Sequence, residues 1–286
     1  MNKNLLKKKL IIGSANFTQM YGAHKKKVSS KEITKILDLA KKNNIYKIDT
    51  AESYLKNKCI FKKINKKFQF ITKIQPDNNW TSLDYCKKEL LGHFQKFNKN
   101  SIKILLFHDD KILFKKNGPV IFQNIETFKK KYFDKIGISI YETKKLNYLT
   151  KTYNIDVIQF PYNILDNSII YSGWLKKLKN RGIEVHARSI FLQGLLVNKL
   201  IYKKKYFKKW KNLFSKWYKY LDVYNISPID YCLNDATLYE FDQIIIGINN
   251  YDHLNEILNF KKLKNYNKLI KIKIMDKKLI DPRQWK

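Results

Sequence analysis

The chain has little arginine, glycine, proline or cysteine, and each shortage removes a class of protein. Three of its 58 basic residues are arginine (Arg181, Arg188 and Arg283), and the rest are lysines spread from end to end. Nucleic-acid recognition favours clustered arginine, whose planar fork grips phosphate and guanine in bidentate fashion. The net charge of +34 therefore reads as a solvated lysine surface with no specific nucleic-acid partner. Nine glycines and no G-x-G-x-x-G turn argue against a doubly wound dinucleotide fold. Cys59, Cys86 and Cys232 are far apart and lack metal-ligand spacing, so neither a disulfide framework nor a metal site is expected. No apolar run approaches the roughly 18 residues of a membrane span, and Leu10–Ile12 is too short for a signal-peptide core. A cytoplasmic protein without a membrane partner follows as the expectation. With five prolines and no Pro/Gly/Ser-rich linker, residues 1–286 read as a single domain.

What the chain does contain is enough apolar material for a core: 44% hydrophobic residues, of which many are aromatic. Eight short runs recur at Leu10–Ala15, Tyr46–Thr50, Phe68–Ile74, Ile102–His108, Lys135–Tyr141, Val157–Tyr162, Ile183–Ser189 and Gln243–Ile248. Their continuous apolar character fits parallel strands buried on both faces. Helical spacing fills most of the gaps. Ser29-x-x-Glu32 is a capping-box pattern ahead of Ile33, Ile36, Leu37 and Ala40. Leu83, Cys86, Leu90 and Phe94 form another stripe, and Ser227-Pro228 opens a further helix. The aromatic stripe from Trp210 to Tyr224 has the spacing of a core-facing helix. Eight β/α units predict an α/β fold, a single (β/α)8 TIM barrel with its active site at the C-terminal ends of the strands.

Those ends carry the chemistry. Asp49 closes the second run with Tyr54 five residues on, Lys73 lies near the end of the third, and His108 ends the fourth. A lysine near a tyrosine favours phenolate, and a buried aspartate can hold that lysine charged. Such a set suits protonation of a carbonyl oxygen, with hydride supplied by a reduced nicotinamide. His24, His93 and His186 read as structural or exposed, and Asp109 and Asp110 as a solvated loop rather than metal ligands.

The sequence resembles the aldo-keto reductase superfamily over nearly its whole length. Gly13-Ser-Ala-Asn16-Phe17-Thr-Gln19 with Tyr21-Gly22 is similar to the first-strand motif of that family. Ile48-Asp49-Thr50-Ala51-Glu52-Ser53-Tyr54, Ile71-Thr72-Lys73 and Leu105-Leu106-Phe107-His108 resemble its tyrosine, lysine and histidine motifs. Ile136-Gly137-Ile138-Ser139, Ile158-Gln159-Phe160-Pro161-Tyr162-Asn163 and Ala187-Arg188-Ser189 follow in the same order. The resemblance implies an NADPH-dependent oxidoreductase acting on an aldehyde, ketone or sugar carbonyl. It makes Tyr54 the general acid, Asp49 and Lys73 the residues that tune it, and His108 the substrate-orienting residue. Ser139 and Gln159 match the carboxamide-binding positions, with Arg188 where many members stack a tyrosine on the nicotinamide. Ser189, Leu192, Gln193 and Gly194 match the pyrophosphate loop, and Gly247, Asn249, Asn250, His253 and Glu256 the adenosine-phosphate segment.

Arg188 is one departure from the family pattern, and two more stand out. Ile140 replaces a common asparagine. The last segment lacks the Lys or Arg that often grips the 2′-phosphate, which leaves NAD open and makes Lys261 or Lys262 the candidates to substitute. The ending Leu279-Ile-Asp-Pro282-Arg283-Gln-Trp285 resembles bacterial sugar-type members, implying carbohydrate metabolism. A dinucleotide-binding sensor or regulatory subunit on the same barrel is the alternative reading. Oligomeric state is left open.

Overall fold

A computed structural model describes residues 3–23, 27–55, 61, 64, 66–98, 100–263 and 276–285; Cys59 and His24 lie outside them. Eight parallel strands close into a barrel in chain order. They are β1 (Leu10–Gly13), β2 (Lys47–Asp49), β3 (Gln69–Ile74), β4 (Ile102–Phe107), β5 (Lys135–Ser139), β6 (Val157–Pro161), β7 (Glu184–Arg188) and β8 (Gln243–Gly247). β8 returns to β1 with Leu10 opposite Ile244 and Gly13 opposite Gly247, which leaves no sheet edge. Each expected run becomes a strand, and most ladders stop a residue or two before the apolar run does. The reason is that burial outlasts pairing: Ile140, Tyr162 and Ile248 have left the ladder and are still buried at the rim.

The helices that wrap the barrel include α1 (Ser30–Lys42), α2 (Leu83–Phe94), α3 (Gly118–Glu126), α4 (Leu146–Thr152), α5 (Trp174–Asn180), α6 (Lys211–Val223), α7 (Pro228–Ala236) and α8 (Tyr251–Leu258). Ser29 caps α1, its Oγ accepting from the Glu32 amide at 3.3 Å. The second half of the expected box is absent. The Glu32 carboxylate instead accepts from the Tyr251 amide at 2.6 Å and clamps the start of α8 to α1. On α2 the buried face is Cys86, Leu90 and His93, whereas Leu83 is exposed because it is the first helical residue, set before the helix turns onto the core. The aromatic stripe is core as expected. Phe214, Trp217, Tyr218 and Leu221 are buried on α6, and the Trp217 and Tyr218 polar tips donate to the carbonyls of Leu196 and Leu195.

Strand alternation explains how the barrel makes a site. Inside it, Ile11, Ile71, Ile104, Leu106, Val157 and Ile245 form a separate apolar cluster, while a much larger cluster lies between strands and helices. Side chains two residues apart on a strand point the same way. Lys73 therefore stands above Ile71, Gln159 above Val157 and Gly247 above Ile245, with His108 continuing the line of Leu106 just past its strand. The polar residues form one layer on top of an apolar plug, at the C-terminal end of the sheet. Among the described residues no helix is long and apolar enough to cross a membrane.

Of the chain's glycines, Gly137 on β5 is the most tightly enclosed. A Cβ there would lie 2.1 Å from the Val157 carbonyl oxygen and 2.8 Å from Leu106 Cδ2. Backbone cannot yield as a flexible side chain can, so Gly137→Ala is expected to destabilise the fold by about 3 kcal/mol or more. Urea unfolding followed by circular dichroism measures this; an unchanged midpoint would contradict the packing.

Candidate active site

The site is built on a buried ion pair. Lys73 on β3 donates to Asp49 Oδ1 on β2 at 2.5 Å and to the Thr50 carbonyl at 3.0 Å. Gln159 on β6 donates its amide to the other carboxylate oxygen at 2.8 Å. The first-strand motif fixes the Asp49 backbone, with both the amide and the hydroxyl of Ser14 donating to the Asp49 carbonyl at 2.9 Å. All of these side chains are buried. Burial pulls the Lys73 ammonium below the usual lysine range, and the Asp49 charge works against that pull.

Tyr54 ends the short turn Glu52–Tyr54 that follows β2. Its ring centroid lies 6.0 Å from that of His108 in an edge-on arrangement and 6.3 Å from that of Tyr21. Burial pushes the Tyr54 phenol well above its ordinary value, reinforced by Tyr21 and Asp49, while Arg188 pulls the other way. Lys73 is paired with Asp49, and Arg188 is a cation that lowers the Tyr54 phenol. Burial, followed by the Lys73 charge, lowers the His108 imidazole to about 4, so it is neutral at pH 7.

These four residues share a cavity of about 480 Å3. Of the other candidates, Ser139, Gln159, Arg188, Ser189, Gln193, Gly194, Gly247, Asn249 and His253 also line it. Ser139 and Gln159 are register partners across β5 and β6. Three candidates stand outside the lining. Leu192 is fully buried in its loop, and the Asn250 side chain caps α8 by accepting from the His253 amide at 2.7 Å. Glu256 accepts from the Ser227 hydroxyl at 3.1 Å, which also takes Ser227 away from its expected capping role. Ile140 is buried in the core, away from the lining. Lys261 and Lys262 follow the end of α8, a helix whose start is the end nearest the cavity, and neither lines the site.

The loop after β7 is strained. Ser189, Leu192 and Gln193 have φ of 64°, 45° and 51°, left-handed values that cost a non-glycine residue about 1–3 kcal/mol. Asn163 braces it from the neighbouring strand, donating to the Ser189 carbonyl at 3.3 Å. Several lining residues also carry buried polar atoms with no hydrogen-bond partner: Gln159 Oε1, His108 Nδ1, Asn16 Oδ1, His253 Nε2, and Nε and one terminal nitrogen of Arg188. Native structures rarely leave such atoms unpaired. A strained loop and a wall of unpaired donors and acceptors around an elongated polar ligand fit a dinucleotide.

Sequence reasoning passed over Tyr141, Arg283, Asn16, Tyr21, Gln75 and Lys111 as site residues, and all six line the cavity. Tyr141 could have been found from spacing, since it continues the line of Ser139 two residues on. His93 and His186 are buried away from the lining, His93 against the Thr72 hydroxyl at 2.8 Å and His186 beside Glu184 at 3.3 Å. Asp110 pairs with Lys145 at 2.8 Å, and Asp109 accepts from the Lys111 amide.

Comparison with known proteins accords with this architecture. An aldo-keto reductase from Bacillus halodurans, in its holo form, superposes with a TM-score of 0.65 at 16% identity, over 90% of this chain and 88% of that one. The glycerol dehydrogenase from Gluconobacter oxydans gives 0.62 at 15% identity, over 91% and 89%. At such identities the likeness is one of fold. No curated protein matches by sequence. The family model for the aldo/keto reductases matches residues 9–273, from just before β1 to beyond α8. A match over almost the entire barrel makes the chain a member of the aldo/keto reductase family, oxidoreductases that use nicotinamide nucleotides.

Proposed function

We propose that the chain, residues 1–286 acting as one domain, reduces an aldehyde, ketone or sugar carbonyl with Tyr54 as the general acid. The observation that carries this reading is the convergence of Tyr54, His108, Lys73 and Asp49 on one cavity. The Tyr54 phenol is held well above its ordinary range, so it keeps its proton at neutral pH. His108, edge-on to it and neutral, can hydrogen-bond a carbonyl oxygen without adding charge. A bound reduced nicotinamide supplies the hydride. Tyr54 then donates its proton to the oxygen as negative charge builds there. Asp49 and Lys73 act beneath as a neutralised pair that fixes the floor of the site.

The donor set suggests how the nucleotide is held. The Gln159 side-chain Oε1 is unpaired, and Ser139 stands beside Gln159 in register, a pairing suited to a carboxamide. The Ser189–Gly194 loop suits the pyrophosphate. NADPH is the nucleotide the family resemblance favours, with NADH accepted as well, because Asn249 and His253 are the lining groups of the last segment and neither carries charge at neutral pH.

Three measurements test the reading. Tyr54→Phe should lower steady-state reduction by a factor of ~10² or more while nucleotide binding persists; undiminished turnover would remove Tyr54 from its role. Discrimination between NADPH and NADH in fluorescence titration should stay below about tenfold, since among the described residues no lysine or arginine between Gly247 and Leu263 lines the site; a preference of a thousandfold would require a cation in contact with the 2′-phosphate. The pH profile follows from the two shifts. Tyr54 is raised and stays protonated, and His108 titrates at about 4 and stays neutral above it. Reduction should therefore be flat from about pH 6 to 9 and fall only as acid protonates His108. A rate governed by a group near pH 7 would contradict both assignments.

A further inference from the structure

The placement of arginine carries information that the net charge does not. Three of 58 basic residues are arginine, yet of the four basic residues lining the cavity, Lys73, Lys111, Arg188 and Arg283, two are arginine. They come from distant parts of the chain. Arg188 ends β7, and Arg283 sits on the turn Pro282–Gln284 of the C-terminal tail. Both guanidinium carbons lie over the ring of Tyr141, at 4.1 Å and 3.5 Å from its centroid. A guanidinium stacks on a phenol through its flat face and keeps its N–H edges free for hydrogen bonding, which a lysine cannot do.

The tail that delivers Arg283 is fastened to the barrel. Trp210 donates to Asp276 at 3.0 Å, Tyr206 to the Lys278 carbonyl at 2.8 Å, and Trp285 stands edge-on to Phe207. Asp281 then holds the Arg283 guanidinium at 2.6 and 2.8 Å. The remaining charges at the cavity are also accounted for: Lys73 by Asp49, and Lys111 by Asp109 at 3.9 Å. Arg188 is different. Among the described residues no carboxylate pairs with it, and its Nε and adjoining terminal nitrogen are buried without an acceptor. A guanidinium cannot shed its charge to escape that cost. The Nε edge is the one that meets a carboxylate through two parallel hydrogen bonds.

We propose, resting on the reductase reading above, that Arg188 offers its open Nε edge to an anion in a receptor completed by Tyr141 and by Arg283, whose own Nε edge Asp281 fills, and that the substrate is a carbonyl compound bearing a carboxylate. The receptor and the acid are neighbours, since Tyr54, Tyr141, Arg188 and Arg283 line the same cavity. A carboxylate held by the arginines and a carbonyl facing Tyr54 thus belong to one small molecule. The cofactor's phosphates are the other source of such an anion, and the test separates the two.

The probes are 4-formylbenzoate and its uncharged methyl ester. The protein should favour 4-formylbenzoate in kcat/KM by about tenfold or more, the worth of one charge-assisted contact. In Arg283→Gln that ratio should fall by about threefold or more, chiefly through KM for the acid, and Arg283→Lys should recover only part of it. Calorimetric titration supplies a readout that needs no turnover. Arg283→Gln should weaken binding of 4-(hydroxymethyl)benzoate and leave nucleotide affinity within about twofold. A ratio near unity before mutation, or one that Arg283→Gln leaves in place, overturns the proposal. So does a parallel loss of nucleotide affinity, which would assign the arginines to the cofactor. Arg283-dependent carboxylate binding without reduction of either aldehyde would uphold the receptor and remove the reductase reading.

Discussion

The buried Lys73–Asp49 pair is the constraint on which the site depends. Taking two charges out of water costs several kcal/mol per ion, and their attraction offsets this only when their remaining hydrogen-bonding capacity is also met. Here it is met by parts of the barrel far apart in sequence. The Thr50 carbonyl takes a second lysine proton, and the Gln159 amide reaches across the barrel to the second carboxylate oxygen. Removing one member would strand a buried charge. The pair therefore ties β2, β3 and β6 together at the level where the apolar plug ends and the cavity begins.

Burial decides how the rest of the cavity behaves. Asp49 raises the Tyr54 phenol and Arg188 lowers it, and burial outweighs the lowering. The result is a phenol that holds its proton beside a neutral imidazole. Two groups with opposite ordinary tendencies are both driven to their neutral forms by the same desolvation. The lysine-rich exterior has little part in this balance, since solvent and salt screen exposed charges over about 10 Å.

The barrel was legible because it is written in short-range terms: strand runs, helix stripes and their alternation. Asp49, Tyr54, Lys73 and His108 were legible for a related reason, as each is at or shortly after a strand end and strand ends converge. What was illegible depends on long-range meetings. Glu32 has the spacing of a capping box, yet it bonds Tyr251, more than two hundred residues away in sequence. Glu256 and Asn250 have the positions of ligand contacts and are used instead by Ser227 and by the first turn of α8. A hydrogen-bonding side chain goes to whichever partner the fold brings nearest, and spacing along the chain does not fix that choice. Arg283 shows the converse: it is remote from every strand in sequence and reaches the cavity because the tail folds back onto Tyr206, Phe207 and Trp210, just ahead of α6.

The strained loop and the unpaired atoms around the cavity make sense together. Three non-glycine residues in left-handed conformations, a guanidinium edge without an acceptor and a side-chain amide oxygen without a donor all raise the free energy of the site. A globular chain has only some 5–15 kcal/mol of net stability from which to meet such costs. The closed sheet and the apolar clusters can carry them because the strain is confined to one end of the barrel and one loop. Each unmet group also needs no rearrangement before it can bind, so a ligand that supplies the missing partners gains the full interaction. Strain and unpaired polarity at the mouth, held rigid by the Asp49–Lys73–Gln159 knot below, are two aspects of one preorganised site.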